Sequence, residues 1–537
     1  MLIIIPFLGF FSYFAIYHVS PFPYIQGTFF KYTPRVKYQT FKIYIDESIP
    51  NDISENIVNS LKDIQFQGVK RFEFVEKRKG KYTISTDGKI ALVSKDLIPV
   101  GHIYWIKSSE SKENLAGKTV LMEKEENEFA GKYISNMFNV NVKVVNSVID
   151  ELKKSEDSIA FIFPSKLNKD LKVLQLDGKY PLEDGETIEV SYFLNGNRDI
   201  EFISNIIRNN VVGLDNDVID NSKIVKINMT GVTAMSRGLG IRIDSSGDFS
   251  YPARDIGTFL ADADITHTSN EVSFVDGCNV VSGMRFCSKP EYIEVLKKSG
   301  IDIIELTGNH NNDFGEENNI KSIEIYKGLG WEYFGGGLNS EDAAKILYKE
   351  IKGSKIAFLG YNYYDTMLNT QAIAGKNRAG ANSYSESKLK SDIQEANKNA
   401  DVVIVTFQFQ ECYSYPPSDV IYPICYKPLS SPDQKGVFRN AIDQGADIVI
   451  GTQAHQPQTY EIYKDGSIFY GLGNLYFDQN KWIGTRQGLV LSIYLLEGRV
   501  MQTRLIPTIY DYDLIPRVAE KSSADLLLNL LKSARDF

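Results

Sequence analysis

The chain has 537 residues, too many for one ordinary core, so roughly two to four domains are expected. With 43% hydrophobic and 24% charged residues it has the composition of a globular protein, which argues against wholesale disorder. A net charge of -9 with no clustered basic stretch argues against a nucleic-acid partner.

The N-terminal stretch "MLIIIPFLGFFSYFAIYHVSPFPYIQGTFF" carries no Asp, Glu, Lys or Arg before Lys31. Met1 to Tyr17 is nearly all apolar, at the short end of what spans a bilayer. A cleaved signal peptide would start with basic residues and end on small ones, and neither feature is present. Residues 1–40 are therefore expected to be an uncleaved membrane anchor and linker, with the bulk of the chain extracellular. A buried core helix is the other reading of this segment.

Residues 41–210 read as an α/β unit. "FKIYID" (41–46) is a strand, and "SENIVNSLKDI" (54–64) is a helix with Ile57, Val58, Leu61 and Ile64 on one face. "KIALVSKDLIPVGHIYWIK" (89–107) reads as strands, "SVIDELKKS" (147–155) as a short helix, and "SIAFIF" (158–163) as a further strand. His102 is the lone histidine here, and among apolar neighbours it is expected to be a hydrogen-bonded core residue. In pattern, the run through "LIPVGHIYWIK", "LAGKTVLM" and "LKVLQLDGKYPL" resembles the type II periplasmic solute-binding domains. That resemblance implies a solute-sensing role for this unit.

A polar stretch, 208–223, leads to a second α/β rhythm over 223–515, leaving 516–537 as a C-terminal tail. "KPEYIEVLKKSG" (289–300) has a helix-start Pro290 and a helix-stop Gly300, and it feeds the strand "IDIIEL". "SPDQKGVFRNAIDQG" (431–445) feeds "ADIVIGTQAH" in the same way, and "KIAFLG" and "DVVIVTFQFQE" are further strands. The four cysteines form two close pairs, Cys278 with Cys287 and Cys412 with Cys425, so local pairing is expected. Buried free thiols are the alternative. If closed, the Cys412–Cys425 loop would stabilise the fold by about 3 kcal/mol.

Ligand sites in α/β sheets gather where strands end in loops. The loops "TGVTAMSR" (230–237), "DITHTSNE" (264–271), "TGNHNND" (307–313), "FQFQE" (407–411) and "GTQAHQPQ" (451–458) all follow predicted strands. "GLGNLYFDQ" (471–479) adds Asn474 and Asp478. Of five histidines in the chain, His267, His310 and His455 fall in these loops. Asn, His and carboxylate arriving from separate strand ends is what a divalent-metal site needs. Two ions about 3.5–4 Å apart could clamp a phosphoryl group and supply hydroxide.

"GNH" after one apolar strand, with "G-x-x-x-H" after another, resembles the calcineurin-type metallophosphoesterases. More closely, the chain resembles the CapA/PgsA family, linked to capsule and poly-γ-glutamate synthesis. The carrying motifs are "SNEVSF" (269–274), "FCSKPEYIEVLKKSGIDIIELTGNHNNDFG" (286–315), "GADIVIGTQAHQPQ" (445–458) and "IFYGLGNLYFDQ" (468–479). The resemblance implies a layered, metallophosphoesterase-like α/β sandwich, beside the solute-binding-like N-terminal domain. It puts Glu271, Asn309, His310 and His455 at metal positions, and His310, Asp313, Glu411 and Arg237 at positions that act on substrate. The implied ion is Mn, Fe or Zn.

The sequence also departs from the family. Val232 stands where an Asp is usual, glutamines replace the His of "FQFQE", and Gln453 replaces the first His of the late loop. Amide side chains are weak metal donors. His267 lies four residues before Glu271 and faces either side of the chain. Asp313 either joins the site or caps a helix starting near Glu316. Glu271 is either a site acid or a surface charge, and Asn474 and Asp478 either meet ligand or shape a turn.

Two functions survive. One is a component of a capsule or poly-γ-glutamate machine, holding an anionic polymer beside membrane synthase subunits. The other is a metal-dependent hydrolase of a phosphoester or of a polymer amide.

Overall fold

Ten consecutive residues, Ile224–Thr233, are buried, and this strand is the hinge of the C-terminal architecture. A run buried on both faces belongs in the middle of a sheet covered by helices. A computed structural model describes residues 39–368, 370–410 and 427–535, which divide into two compact units. The expected N-terminal anchor, Glu411 and the Cys412–Cys425 pair lie outside the described residues.

The N-terminal unit runs to residue 167 and includes 173–221. Its sheet takes the strands in the order Phe72–Phe74, Phe41–Ile45, Tyr82–Ser85, Ile188–Asn195, Ile90–His102, Ile159–Ile162, Thr119–Met122 and Asn141–Val144. The strand Ile90–His102 is one continuous element of 13 residues, where the sequence suggested several. It can be that long because its neighbours change along its length, Ile188–Asn195 first and Ile159–Ile162 later. The helix Asn51–Leu61 buries Ile57 and Leu61 against this sheet, as its apolar face requires. His102 is buried, its Nδ1 accepts the Tyr104 N–H at 3.4 Å, and the Tyr104 ring lies beside it. It is a core residue.

The C-terminal unit, 168–172 and 222 onward, holds two large sheets among the described residues, beside a two-stranded one that pairs Gly336–Gly337 with Gly380–Ala381. The first runs Glu332–Phe334, Ile303–Glu305, Ile265–Asn270, Ile224–Thr233, Gln487–Leu496, Arg499–Ile509 and Arg517–Val518, with Asn474–Tyr476 also paired to Ile224–Thr233. Its first four strands are parallel. The second runs Leu347–Ile351, Ser354–Asn362, Val402–Gln408, Ile448–Gly451, Gly466–Phe469 and Tyr460–Tyr463. The sheets meet through Phe334 against Phe358, 5.7 Å between ring centroids, and through Thr452 Oγ1, which donates to Glu305 Oε1 at 2.8 Å. Helices Arg237–Ser246, Ile293–Lys298 and Glu316–Gly328 pack on the first sheet, and Glu386–Asn399 and Gln434–Asp443 on the second. The result is a layered α/β sandwich. Each fully buried Ile, Leu, Val or Phe in these layers contributes about 1.5–3 kcal/mol of transfer free energy.

Two elements differ from the expectation. "KPEYIEVLKKSG" is not one helix but a 3-10 turn, Pro290–Tyr292, followed by the helix Ile293–Lys298. The expected tail contains a helix, Lys521–Ser533, that buries Leu527 and Leu531 and accepts the Thr459 hydroxyl at the Leu531 carbonyl, 2.6 Å away.

Candidate functional site

The parallel strands of both sheets end at the same edge, and the loops leaving them carry the candidate side chains. Ile265–Asn270 delivers Glu271, whose backbone N–H donates to the Thr233 carbonyl at 3.1 Å. Ile303–Glu305 delivers the loop of Asn309 and His310, and a parallel bridge pairs His310 with Val272. Gly308 makes this approach possible. A Cβ there would stand 2.4 Å from the Glu271 Cβ, far inside any non-bonded carbon contact. The glycine of "GNH" is thus fixed by the carboxylate-bearing residue beneath it.

His310 Nδ1 lies 2.7 Å from Asp313 Oδ2. The carboxylate can only accept, so the neutral ring carries its proton on Nδ1 and its lone pair on Nε2. Burial disfavours the imidazolium, but the Asp313 hydrogen bond and the Glu271 and Asp313 charges outweigh burial, and His455 opposes them. The net effect raises the His310 pKa above its ordinary value. Asp313 also accepts the Phe286 N–H at 2.8 Å, while the helix Glu316–Gly328 starts from Gly315 with no side-chain cap. Asp313 therefore orients His310 and does not cap the helix.

His455 is built the same way with a neutral partner. Its Nδ1 lies 2.8 Å from Asn474 Oδ1, and the Asn474 amide nitrogen donates to the Thr485 carbonyl at 2.9 Å. The Asn474 oxygen is therefore the acceptor, and the His455 proton also sits on Nδ1. Asn474 positions a histidine, and Asp478 pairs with Arg237. Arg237 opens the helix Arg237–Ser246 from a left-handed conformation, φ 48°.

His267 is not a loop residue. It lies within the strand Ile265–Asn270 with its Nε2 3.0 Å from Glu305 Oε2, and both side chains are fully enclosed. The Thr307 hydroxyl also donates to Glu305. This pair braces the strands beneath the site. The alternation of the strand turns His267 inward, which decides the question the sequence left open.

Asp365 is a residue that the sequence reading missed. It is buried, accepts the Asn362 amide at 2.9 Å and the Thr370 hydroxyl at 3.0 Å, and feels the His310 charge. Burial raises its pKa more than those hydrogen bonds and His310 lower it. The signal was an Asp three residues after the strand that ends in Asn362. It carried no histidine or cysteine to draw notice.

The donor set does not fit a two-ion cluster. Val232, at the place of the usual acid, is a buried hydrocarbon. Gln408 Nε2 donates to Gln453 Oε1 at 2.7 Å, so the two glutamines that replace histidines hold one another. Among the described residues, no three His, Cys, Asp or Glu side chains are gathered to hold a metal ion. What remains is mixed: Asn309 Oδ1 and Gln408 Oε1 are buried neutral acceptors with no hydrogen-bond partner among the described residues, and the Glu271 carboxylate is buried near His310.

Comparison with known proteins bears on the lineage of this arrangement. Residues 226–479 match the family model described as bacterial capsule synthesis protein PGA_cap. The capsule biosynthesis protein CapA of Bacillus anthracis is 28% identical over 297 residues, covering 54% of this chain and 68% of that protein. The PGA biosynthesis protein CapA of Bacillus subtilis (strain 168) is 28% identical over 219 residues, covering 40% of this chain and 53% of that protein. Among solved structures, a hypothetical protein from Thermus thermophilus overlaps 53% of this chain and 98% of its own, with 13% identity and a TM-score of 0.33. An ABC-type phosphate transport receptor from Vibrio cholerae overlaps 32% of this chain and 93% of its own, with 11% identity and a TM-score of 0.24. Through residues 226–479, the chain is similar to the bacterial capsule synthesis proteins of the CapA/PgsA type.

Proposed function

We propose that this protein serves capsule or poly-γ-glutamate synthesis or export as a membrane-anchored, extracellular component that holds an anionic polymer at a degenerate metallophosphoesterase-type site. The family match supports the capsule role. The observations that carry the non-hydrolytic part are the Gln408–Gln453 pair and the buried Val232, which stand where metal-binding side chains would be needed. Without them no strongly polarised water forms, and the edge becomes a binding surface. His310, with its raised pKa, and the exposed Arg285, which donates to the Asp313 carbonyl at 3.1 Å, supply positive charge for polymer carboxylates. The chain would act beside membrane synthase subunits.

The hydrolase reading is kept in view by one observation, the His310–Asp313 contact beside Glu271 and Asn309. In that reading Glu271, Asn309, His310 and His455 would hold a single Mn, Fe or Zn ion, which would supply Lewis acidity.

The test is binding of the purified full-length chain to poly-γ-glutamate, with a neutral polymer of similar length as control. Retention of intact polymer, weakened by salt and by Arg285→Ala, is expected. Shortening of the polymer, or no preference over the neutral control, would contradict the proposal.

A further inference from the structure

His310 and His455 reach the site from different sheets, yet one bracket of side chains joins them. The His310 ring lies against Phe286, 4.2 Å between centroids. The Arg237 guanidinium sits 4.5 Å from the Phe286 centroid and 5.1 Å from that of Phe477. Phe477 in turn stacks on His455, 5.0 Å away with ring planes 17° apart. The two phenylalanines meet edge to face at 6.0 Å and bury together with Ala234 and Val272.

The guanidinium is gripped at its ends, so its faces are left for the rings. One terminal nitrogen donates to Asp478 and the other to the Gly283 carbonyl at 3.1 Å, while the Gly238 N–H donates to the same Asp478 carboxylate at 2.8 Å. Its charge is already neutralised by Asp478, so Arg237 is poorly placed to receive a polymer carboxylate. Its left-handed φ, unusual for a side chain of this size, is maintained by this grip. A cation over an aromatic face is attracted by the ring quadrupole, and here one cation serves two rings.

We infer that Arg237 is a positioning residue shared by both site histidines, which it orients through Phe286 and Phe477, and that it is not a ligand-binding cation. The inference rests on His310 and His455 forming one site. It is read in the unliganded chain, so failure of polymer binding would leave it standing.

The experiment is ¹H–¹³C NMR of the full-length chain labelled at the histidine ring carbons. His310→Gln and His455→Gln variants assign the site signals, and His267, enclosed with Glu305 elsewhere, is the internal control. Arg237→Met is expected to shift the signals of both site histidines and leave His267 in place. Arg237→Lys, which keeps a cation, should return both towards their original positions. Phe286→Leu should move His455 as well as His310, although Phe286 does not stack on His455. If Arg237→Met also displaces His267, the Phe286→Leu spectrum decides. Movement of His310 alone in that spectrum, or an Arg237→Met spectrum in which either site histidine stays in place, would overturn the inference.

Discussion

Two histidines of the C-terminal unit each contact a carboxylate, and their surroundings make them different devices. His267 and Glu305 lie inside a parallel sheet with no exposed surface, and Thr307 and Thr452 fill the remaining acceptor sites of Glu305. His310 and Asp313 lie on the loop just past the strand, where part of each side chain remains exposed. The inner pair can be satisfied only by its neighbours, so it fixes the strands. The outer pair has room beside it, so it can meet a ligand. Residue types alone do not separate the two cases. Position along the strand does.

The largest effect should come from breaking the inner pair. Glu305→Ala leaves His267 enclosed without its partner and removes the acceptor of Thr452, so a loss of about 3–5 kcal/mol is expected. Chemical denaturation would measure it, and a loss under about 1 kcal/mol would mean the pair is not the brace described. The next effect tests the approach of the outer loop to the sheet. Gly308→Ala forces a carbon against Glu271, and overpacking of this kind costs about 1–3 kcal/mol. Gly328→Ala, at a helix end with open space around it, is the control and should be close to neutral.

The smallest effect concerns the titration of His310. Its folded pKa is raised above the ordinary 6.5, so the folded state holds the proton more tightly than the unfolded chain does. That stabilisation is fully present below the unfolded pKa and is lost as pH rises through the folded value. Asp313→Asn removes the main cause. The melting temperature of the wild type should therefore exceed that of the variant by more at about pH 5.5 than at about pH 8.5, a range in which histidine is the titrating side chain. An equal gap at both values would dissociate Asp313 from the His310 charge.

Much of this edge was legible in the sequence because an apolar run that stops abruptly in polar residues marks a buried strand and its exit loop. Asn309, His310 and His455 were found that way. Glu305 was legible only in hindsight, since a carboxylate inside "IDIIEL" needs an enclosed partner and nothing nearby in the chain names it as His267. Phe286 and Phe477 read as ordinary core residues, because ring stacking leaves no periodicity. Asn474 became meaningful only once the fold brought it to His455, 19 residues away. The expectation of a tail over 516–537 overlooks the helix Lys521–Ser533, although Leu527 and Leu531 have the four-residue spacing of a helix face.

The most direct test of the central claim, that this edge is a degenerate metallophosphoesterase site serving as a binding surface, is metal content. The full-length chain would be incubated with manganese, zinc and iron, exchanged into metal-free buffer and measured by elemental mass spectrometry beside a His310→Ala control. The account predicts no stoichiometric metal in either sample. One ion per chain in the wild type, lost in His310→Ala, would contradict it and make the protein a metal-dependent hydrolase in search of its substrate.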